Sequence, residues 1–155
     1  METRGIRNNN PLNIRYVEGN KWEGRKPSKQ DPEFEEFLTV FFGYRAAMKL
    51  IYNQITLQQR NTIQALISRW APSNENNTEN YIRIVCKRTG IGRDETLRFS
   101  CPGQLIEIVK AMAFVECGSV PNIDALHKAY RAVCSEKKLN VHLACLDRCY
   151  PIIQG

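Results

Sequence analysis

One glutamate stands out by its setting. Glu116 lies near the end of the segment Leu105-Ile-Glu-Ile-Val-Lys-Ala-Met-Ala-Phe-Val-Glu116-Cys-Gly118. A run this apolar reads as a buried helix, and Gly118 reads as its stop. The negative end of the helix dipole falls beside Glu116 and disfavours an ionised carboxylate there. Ala113, Phe114 and Val115 add desolvation, which acts in the same direction. A carboxylic acid kept protonated near neutral pH is what general-acid cleavage of a glycoside needs. The plainer reading is an exposed last-turn glutamate. A Cys117–His142 nucleophile pair is the alternative chemistry, but a helix C-terminus raises a thiol's pKa rather than lowering it. Cys145 and Cys149 share a helical face without a second ligand pair, so no metal or other cofactor is expected. The six cysteines are read as small core hydrophobes, with disulfides open to them on export.

These residues need a scaffold. The chain has 155 residues, 43% apolar and 25% charged, and a net charge of +6. That is one globular domain over 1–155. The charge points to an anionic partner. Lys87, Arg88, Arg93 and Arg98 form a basic run, but no DNA-reading motif accompanies it, so nucleic acid is not the expected partner. No apolar run approaches a membrane span. The first ten residues lack the apolar core of a secretory leader. Production in the cytoplasm is therefore expected.

Residues about 8–40 are rich in Asn, Gly and Pro, with short β-like pieces at Leu12–Val17, Lys21–Glu23 and Phe34–Leu38. They predict a small β-lobe, with Gly19-Asn20 as its best hairpin turn. From Gly43 the spacing turns helical. Helices are predicted through Tyr44–Ile55, after a Thr62 cap to Trp70, from a Thr78 cap to Gly90, from Pro102 to Gly118, and over about Asn122–Ser135. Leu139 to Ile153 is apolar without a clear period. The fold class is α+β, a mostly helical body over about 43–155 carrying an N-terminal β-lobe.

Ala111-Met-Ala-Phe-Val-Glu116-Cys-Gly118 resembles the Ala-x-Ala-x-x-Glu-x-Gly signature of lysozyme-like peptidoglycan hydrolases, among them flagellar-type endo-β-N-acetylglucosaminidases and lytic transglycosylases. Asn9-Asn10-Pro11-Leu12-Asn13-Ile14-Arg15, Trp22-Glu23-Gly24 and Phe34-Glu35-Glu36-Phe37 resemble the lobe that follows the glutamate helix in those glucosaminidases. Here the lobe comes first, which amounts to a circular permutation. Arg7-Asn8-Asn9-Asn10-Pro11 and Glu75-Asn76-Asn77-Thr78-Glu79-Asn80-Tyr81-Ile82 also resemble small phage and mobile-element proteins, several of them regarded as virion-associated and lysozyme-like. Leu12 departs from their glycine and Asn77 from their aspartate.

The resemblance implies a lysozyme-like fold and a peptidoglycan glycosidase with Glu116 as the acid. A partner carboxylate would come from Asp31, Glu33, Glu35 or Glu36, with Glu33 or Glu36 favoured. In a lytic transglycosylase none is needed, because the substrate's own 6-hydroxyl attacks. Asn9, Asn10 and Asn13 suit amino-sugar recognition, although turn chemistry explains them as readily. Trp22, Tyr44, Trp70 and Tyr81 offer flat faces, with core packing the expected role of Trp70. Glu75 is read as support for the third helix's N-terminus. The expected partners are peptidoglycan glycan strands and an immunity or delivery protein. Action in the periplasm or wall would follow phage release or specialised secretion. The competing class is a non-catalytic glycan-binding or structural protein of a phage or secretion system.

Overall fold

The computed structural model describes residues 2–73 and 77–153; Glu75 lies outside them. Helix α1 (Arg4–Arg7) is a single turn. Helix α2 (Val40–Tyr52) runs on into a π-helical turn, Asn53–Leu57. Then come α3 (Ile63–Trp70), α4 (Thr78–Thr89), α5 (Pro102–Cys117), α6 (Ile123–Glu136) and α7 (Leu143–Cys149). The molecule is thus mainly helical.

Helix α5 is the axis of the body. Leu105, Ile106, Ile108, Val109, Met112 and Ala113 are all fully buried and together face more than one side of it, as its all-round apolar sequence requires. Helices α4, α6 and α1 pack against it, and α2 packs on α6. Burying each large aliphatic side chain contributes about 2 kcal/mol, so this cluster holds the glutamate's helix firmly. Pro102 starts α5 where its missing N–H costs nothing. Gly118 ends it at φ +78°, with its N–H bonded to the Phe114 carbonyl.

The caps follow the sequence with one shift. Thr62 caps α3 through the Ala65 N–H and Asn122 caps α6 through the Ala125 N–H. Helix α4 is capped by Asn77, not Thr78, through the Asn80 N–H. Thr78 instead donates its hydroxyl to the Ala71 carbonyl. The unpatterned C-terminal stretch contains α7, with His142 Nδ1 accepting from the Cys145 N–H at 3.2 Å.

The N-terminal lobe differs from the expected strands. Among its described residues there are two isolated antiparallel bridges, Arg15 with Phe34 and Arg25 with Phe37, and no longer ladder. A turn closes over Val17–Asn20, with the Asn20 N–H bonded to the Val17 carbonyl, but its flanks bridge to Phe34 and Phe37 and not to each other, so the expected Gly19-Asn20 hairpin is not formed among the described residues. Pairing stops after each bridge because Pro11, Pro27 and Pro32 lack donors and Asn9 and Asn13 sit at positive φ. Side-chain amides take over the work of a ladder. Fully buried Asn10 accepts from the Ile14 N–H at 2.9 Å and donates to the carbonyls of Ile14 at 2.9 Å and Glu35 at 3.1 Å.

Two glycines let the lobe press on the helices. A β-carbon on Gly43, in α2, would overlap the Asn9 carbonyl oxygen. One on Gly5, in α1, would meet the Asn10 carbonyl oxygen at 2.9 Å, Asn13 Oδ1 at 3.1 Å and Cys117 Cβ at 3.2 Å. The Asn8–Asn13 turns are thereby clamped between α1, α2 and the end of α5.

Candidate functional site

That clamp delivers Asn13 to Glu116. Asn13 adopts φ +50°, a region that asparagine tolerates better than most residues. Its Nδ2 donates to Glu116 Oε1 at 3.1 Å and to the Glu116 backbone carbonyl at 3.3 Å. From the other side, the buried Tyr81 hydroxyl on α4 donates to Glu116 Oε2 at 3.0 Å. One carboxyl group is therefore gripped from two distant parts of the chain.

Burial pushes the Glu116 carboxyl above the usual carboxylate range, while the Asn13 and Tyr81 donors, which favour the charged form, pull against it. Burial, and then the neighbouring Glu116, raise the Tyr81 hydroxyl well above its own usual range, so it remains a donor. Burial is the main cause of the raised Glu116 pKa, whereas the sequence had pointed to the helix dipole as well.

Glu116 lies on the wall of a groove of about 600 Å³ between lobe and body. Asn13, Ile14 and Phe34 come from the lobe, Trp70, Ala71 and Pro72 from the end of α3, and Leu50 and Gln54 from α2 and the π-helical turn. Trp22 lines it as well. The two tryptophans of the chain both line it. Trp70 is fixed by its Nε1–H, which donates to the Leu12 carbonyl at 3.3 Å. The core role expected for Trp70 is therefore only half its role: it packs on the core with one side and forms the groove wall with another.

The other sequence candidates fall elsewhere. Tyr44 is completely buried, and its hydroxyl donates to the Pro121 carbonyl, so it offers no face to a ligand. Asn10 is buried in the turn described above. Asn9 donates to the carbonyls of Phe37 and Leu38. Both are spent on backbone, Asn10 partly within its own turn at Ile14, as turn chemistry would have it, and Asn9 across the lobe at Phe37 and Leu38.

The acidic stretch of the lobe also faces away from the groove. Glu33 pairs with Arg15 at 3.6 Å and, with Glu36, lines a separate recess beside Arg4, Arg7 and Lys26. Glu36 accepts from the Gln30 N–H at 2.7 Å. Glu35 is fully buried and takes the Arg25 Nε–H at 2.9 Å. Asp31 is held by Asn8 at 3.0 Å and by Arg4 at 3.5 Å. These carboxylates stabilise the lobe's own turns. The expected juxtaposition of Glu33 or Glu36 with Glu116 is not formed. Among the described residues lining the groove, Glu116 is the only acid.

Burial raises the Cys117 thiol's pKa, and the thiol faces the Ser119 carbonyl at 3.4 Å, while His142 serves as the α7 cap. The pair shares no contact. Arg69, Gln54 and Leu50 line the groove without having been singled out in the sequence. Only Arg69 carried a signal, as a charged residue beside the α3 tryptophan.

The fold and site define a small helical protein whose groove is built around one protonatable carboxyl. No protein-family model matches the chain. It is 39% identical over 130 residues to Protein P5 of Pseudoalteromonas phage PM2, an alignment that covers 82% of this chain and 79% of that protein. The chain belongs to the family of that phage protein.

No helix among the described residues is long and apolar enough to cross a membrane. No cluster of three His, Cys, Asp or Glu residues among them could hold a metal ion.

Proposed function

We propose that this protein is a peptidoglycan-cleaving glycosidase with a lysozyme-like arrangement, in which Glu116 is the general acid. The observation that carries the reading is the Glu116 carboxyl itself. It is desolvated and pushed toward its protonated form, oriented by Asn13 and Tyr81, and set in a groove walled by two tryptophans. Flat aromatic faces suit pyranose rings, and amide donors suit acetamido groups.

Glu116 would give its proton to the leaving glycosidic oxygen as the bond to the anomeric carbon breaks. The groove's single acid among the described residues favours a reaction in which the substrate supplies the nucleophile. The 6-hydroxyl of the same sugar would attack the anomeric carbon and return its proton to Glu116, leaving an anhydro end. A water molecule attacking instead would give a reducing end, the outcome of a muramidase or glucosaminidase. The phage relative is compatible with delivery by a virion.

A second reading is a non-catalytic glycan-binding protein. It draws on the engagement of both Glu116 oxygens by protein donors. Purified peptidoglycan incubated with wild type and with Glu116→Gln decides between the two. Soluble fragments from wild type alone support the acid. Chains ending in a mass lighter by one water identify the transglycosylase route. Retained binding with no fragments from either protein selects the glycan-binding reading.

A further inference from the structure

The groove does not end at Trp22. A smaller recess of about 270 Å³ lies beyond it, and Asn20 and Trp22 line both. The recess carries Lys21, Arg45 and Lys49 against one acid, Glu23. The groove itself carries Arg15 and Arg69. Arg45 is paired with Glu23 at 3.2 Å and with Glu136 at 3.4 Å, Lys49 with Glu136 at 3.2 Å, and Arg15 with Glu33 at 3.6 Å, so these three cations have acidic partners within the protein. Arg69 and Lys21 are exposed, and no acidic partner holds either among the described residues. The unmatched positive charge of the cleft thus rests on Arg69 and Lys21.

From this surplus we infer that the cleft binds a carboxylate-bearing glycan, with Arg69 and Lys21 as specificity-determining residues on either side of Trp22. The inference rests on the glycosidase reading for the reaction, but not for binding. A neutral amino-sugar polymer would fill the aromatic walls, yet leave Arg69 and Lys21 unmatched. A chain with carboxylates on alternate sugars would meet them at both ends of the cleft. Those carboxylates have two sources in peptidoglycan: the lactyl group, free once the peptide is removed, and the peptide stem.

The test is binding in the Glu116→Gln background, read by the fluorescence of the two tryptophans, both of which line the cleft. Three ligands of equal length are compared: neutral N-acetylglucosamine oligomers, peptide-stripped glycan strands and peptide-bearing strands. At least one carboxylate ligand is expected to bind about tenfold more tightly than the neutral one, as charge-assisted hydrogen bonds would give, with the advantage shrinking as salt is added. The double substitution Arg69→Gln and Lys21→Gln is expected to bring that ratio to within about twofold, since one or two exposed ion pairs carry it. Tighter binding of the stripped strand assigns the lactyl carboxylate, and of the peptide-bearing strand the stem. Equal binding of all three ligands, or a preference that survives the double substitution, overturns the inference. Cleavage by the wild-type protein is scored separately. A carboxylate preference without cleavage products keeps the inference and removes the acid, whereas cleavage with no preference does the reverse.

Discussion

Tyr81 donates its hydroxyl hydrogen to Glu116 Oε2 at 3.0 Å, tying the first turn of α4 to the last turn of α5. The bond opposes burial: it favours the ionised carboxylate, while desolvation favours the neutral acid, and desolvation is the larger effect. Removing the donor should therefore raise the acid's pKa further. Tyr81→Phe is expected to shift the alkaline limb of the pH–rate profile to higher pH, at a stability cost of about 1 kcal/mol for one lost hydrogen bond. Turnover of solubilised glycan strands across pH measures it. A limb that moves to lower pH would contradict the geometry.

Glu116→Gln keeps the shape and removes the proton. General-acid catalysis contributes roughly 10²–10⁴-fold, so turnover is expected to fall by at least about 10²-fold. The fold should survive, because the glutamine oxygen can still accept from Asn13 Nδ2 while its N–H₂ donates to the Tyr81 hydroxyl oxygen. Circular dichroism checks the fold, and release of soluble fragments checks the rate.

The same substitution has a signature in stability. The folded-state pKa of Glu116 lies above the ordinary carboxylate value of about 4. Below that value folded and unfolded chains are both protonated, and the group imposes no penalty. As pH rises, the unfolded chain releases its proton first, and wild type loses stability until the folded carboxyl ionises too. The Tm difference between Glu116→Gln and wild type is therefore expected to shift in favour of the variant as pH rises from about 4 toward neutrality. Thermal melts at several pH values read it directly, and a difference that shifts in favour of wild type over that interval would show that the carboxyl is not held above its ordinary range.

These results also show which parts of the site could be read in the sequence. The α5 segment announced itself: Pro102 starts it, Gly118 stops it, and the residues between are apolar on more than one side. That pattern singled out Glu116, and the resemblance to the Ala-x-Ala-x-x-Glu-x-Gly signature made it the candidate acid. Asn13, Trp22 and Tyr81 were named for their types, and all three lie at the carboxyl or along the groove. Their tasks were not legible, because Asn13 and Tyr81 act on Glu116 through contacts 103 and 35 residues apart in sequence. Tyr44 and Asn10 carry the same chemical groups but are consumed inside the fold. The lobe misled for a local reason. Its β-like side-chain pattern is real, yet asparagines at positive φ and three prolines limit pairing to single bridges.

The clamp between lobe and body gives the last expectation. Gly43 lies in α2 with ordinary helical backbone, where alanine would normally be favoured by close to 1 kcal/mol. Here its β-carbon would overlap the Asn9 carbonyl oxygen, which belongs to backbone and cannot swing aside. The added methyl must push the Asn8–Asn13 turns off α2, and those turns hold Asn13 against Glu116. Gly43→Ala is expected to destabilise the protein by more than about 2 kcal/mol, in the range of core overpacking. Surviving folded protein should show reduced turnover as Asn13 is displaced. Exposed Gly103, whose β-carbon would meet nothing, is the control: Gly103→Ala in the first turn of α5 should be neutral or slightly stabilising. Chemical denaturation of the two variants separates the outcomes, and a Gly43→Ala protein as stable as wild type would show that the lobe does not bear on α2 at this point.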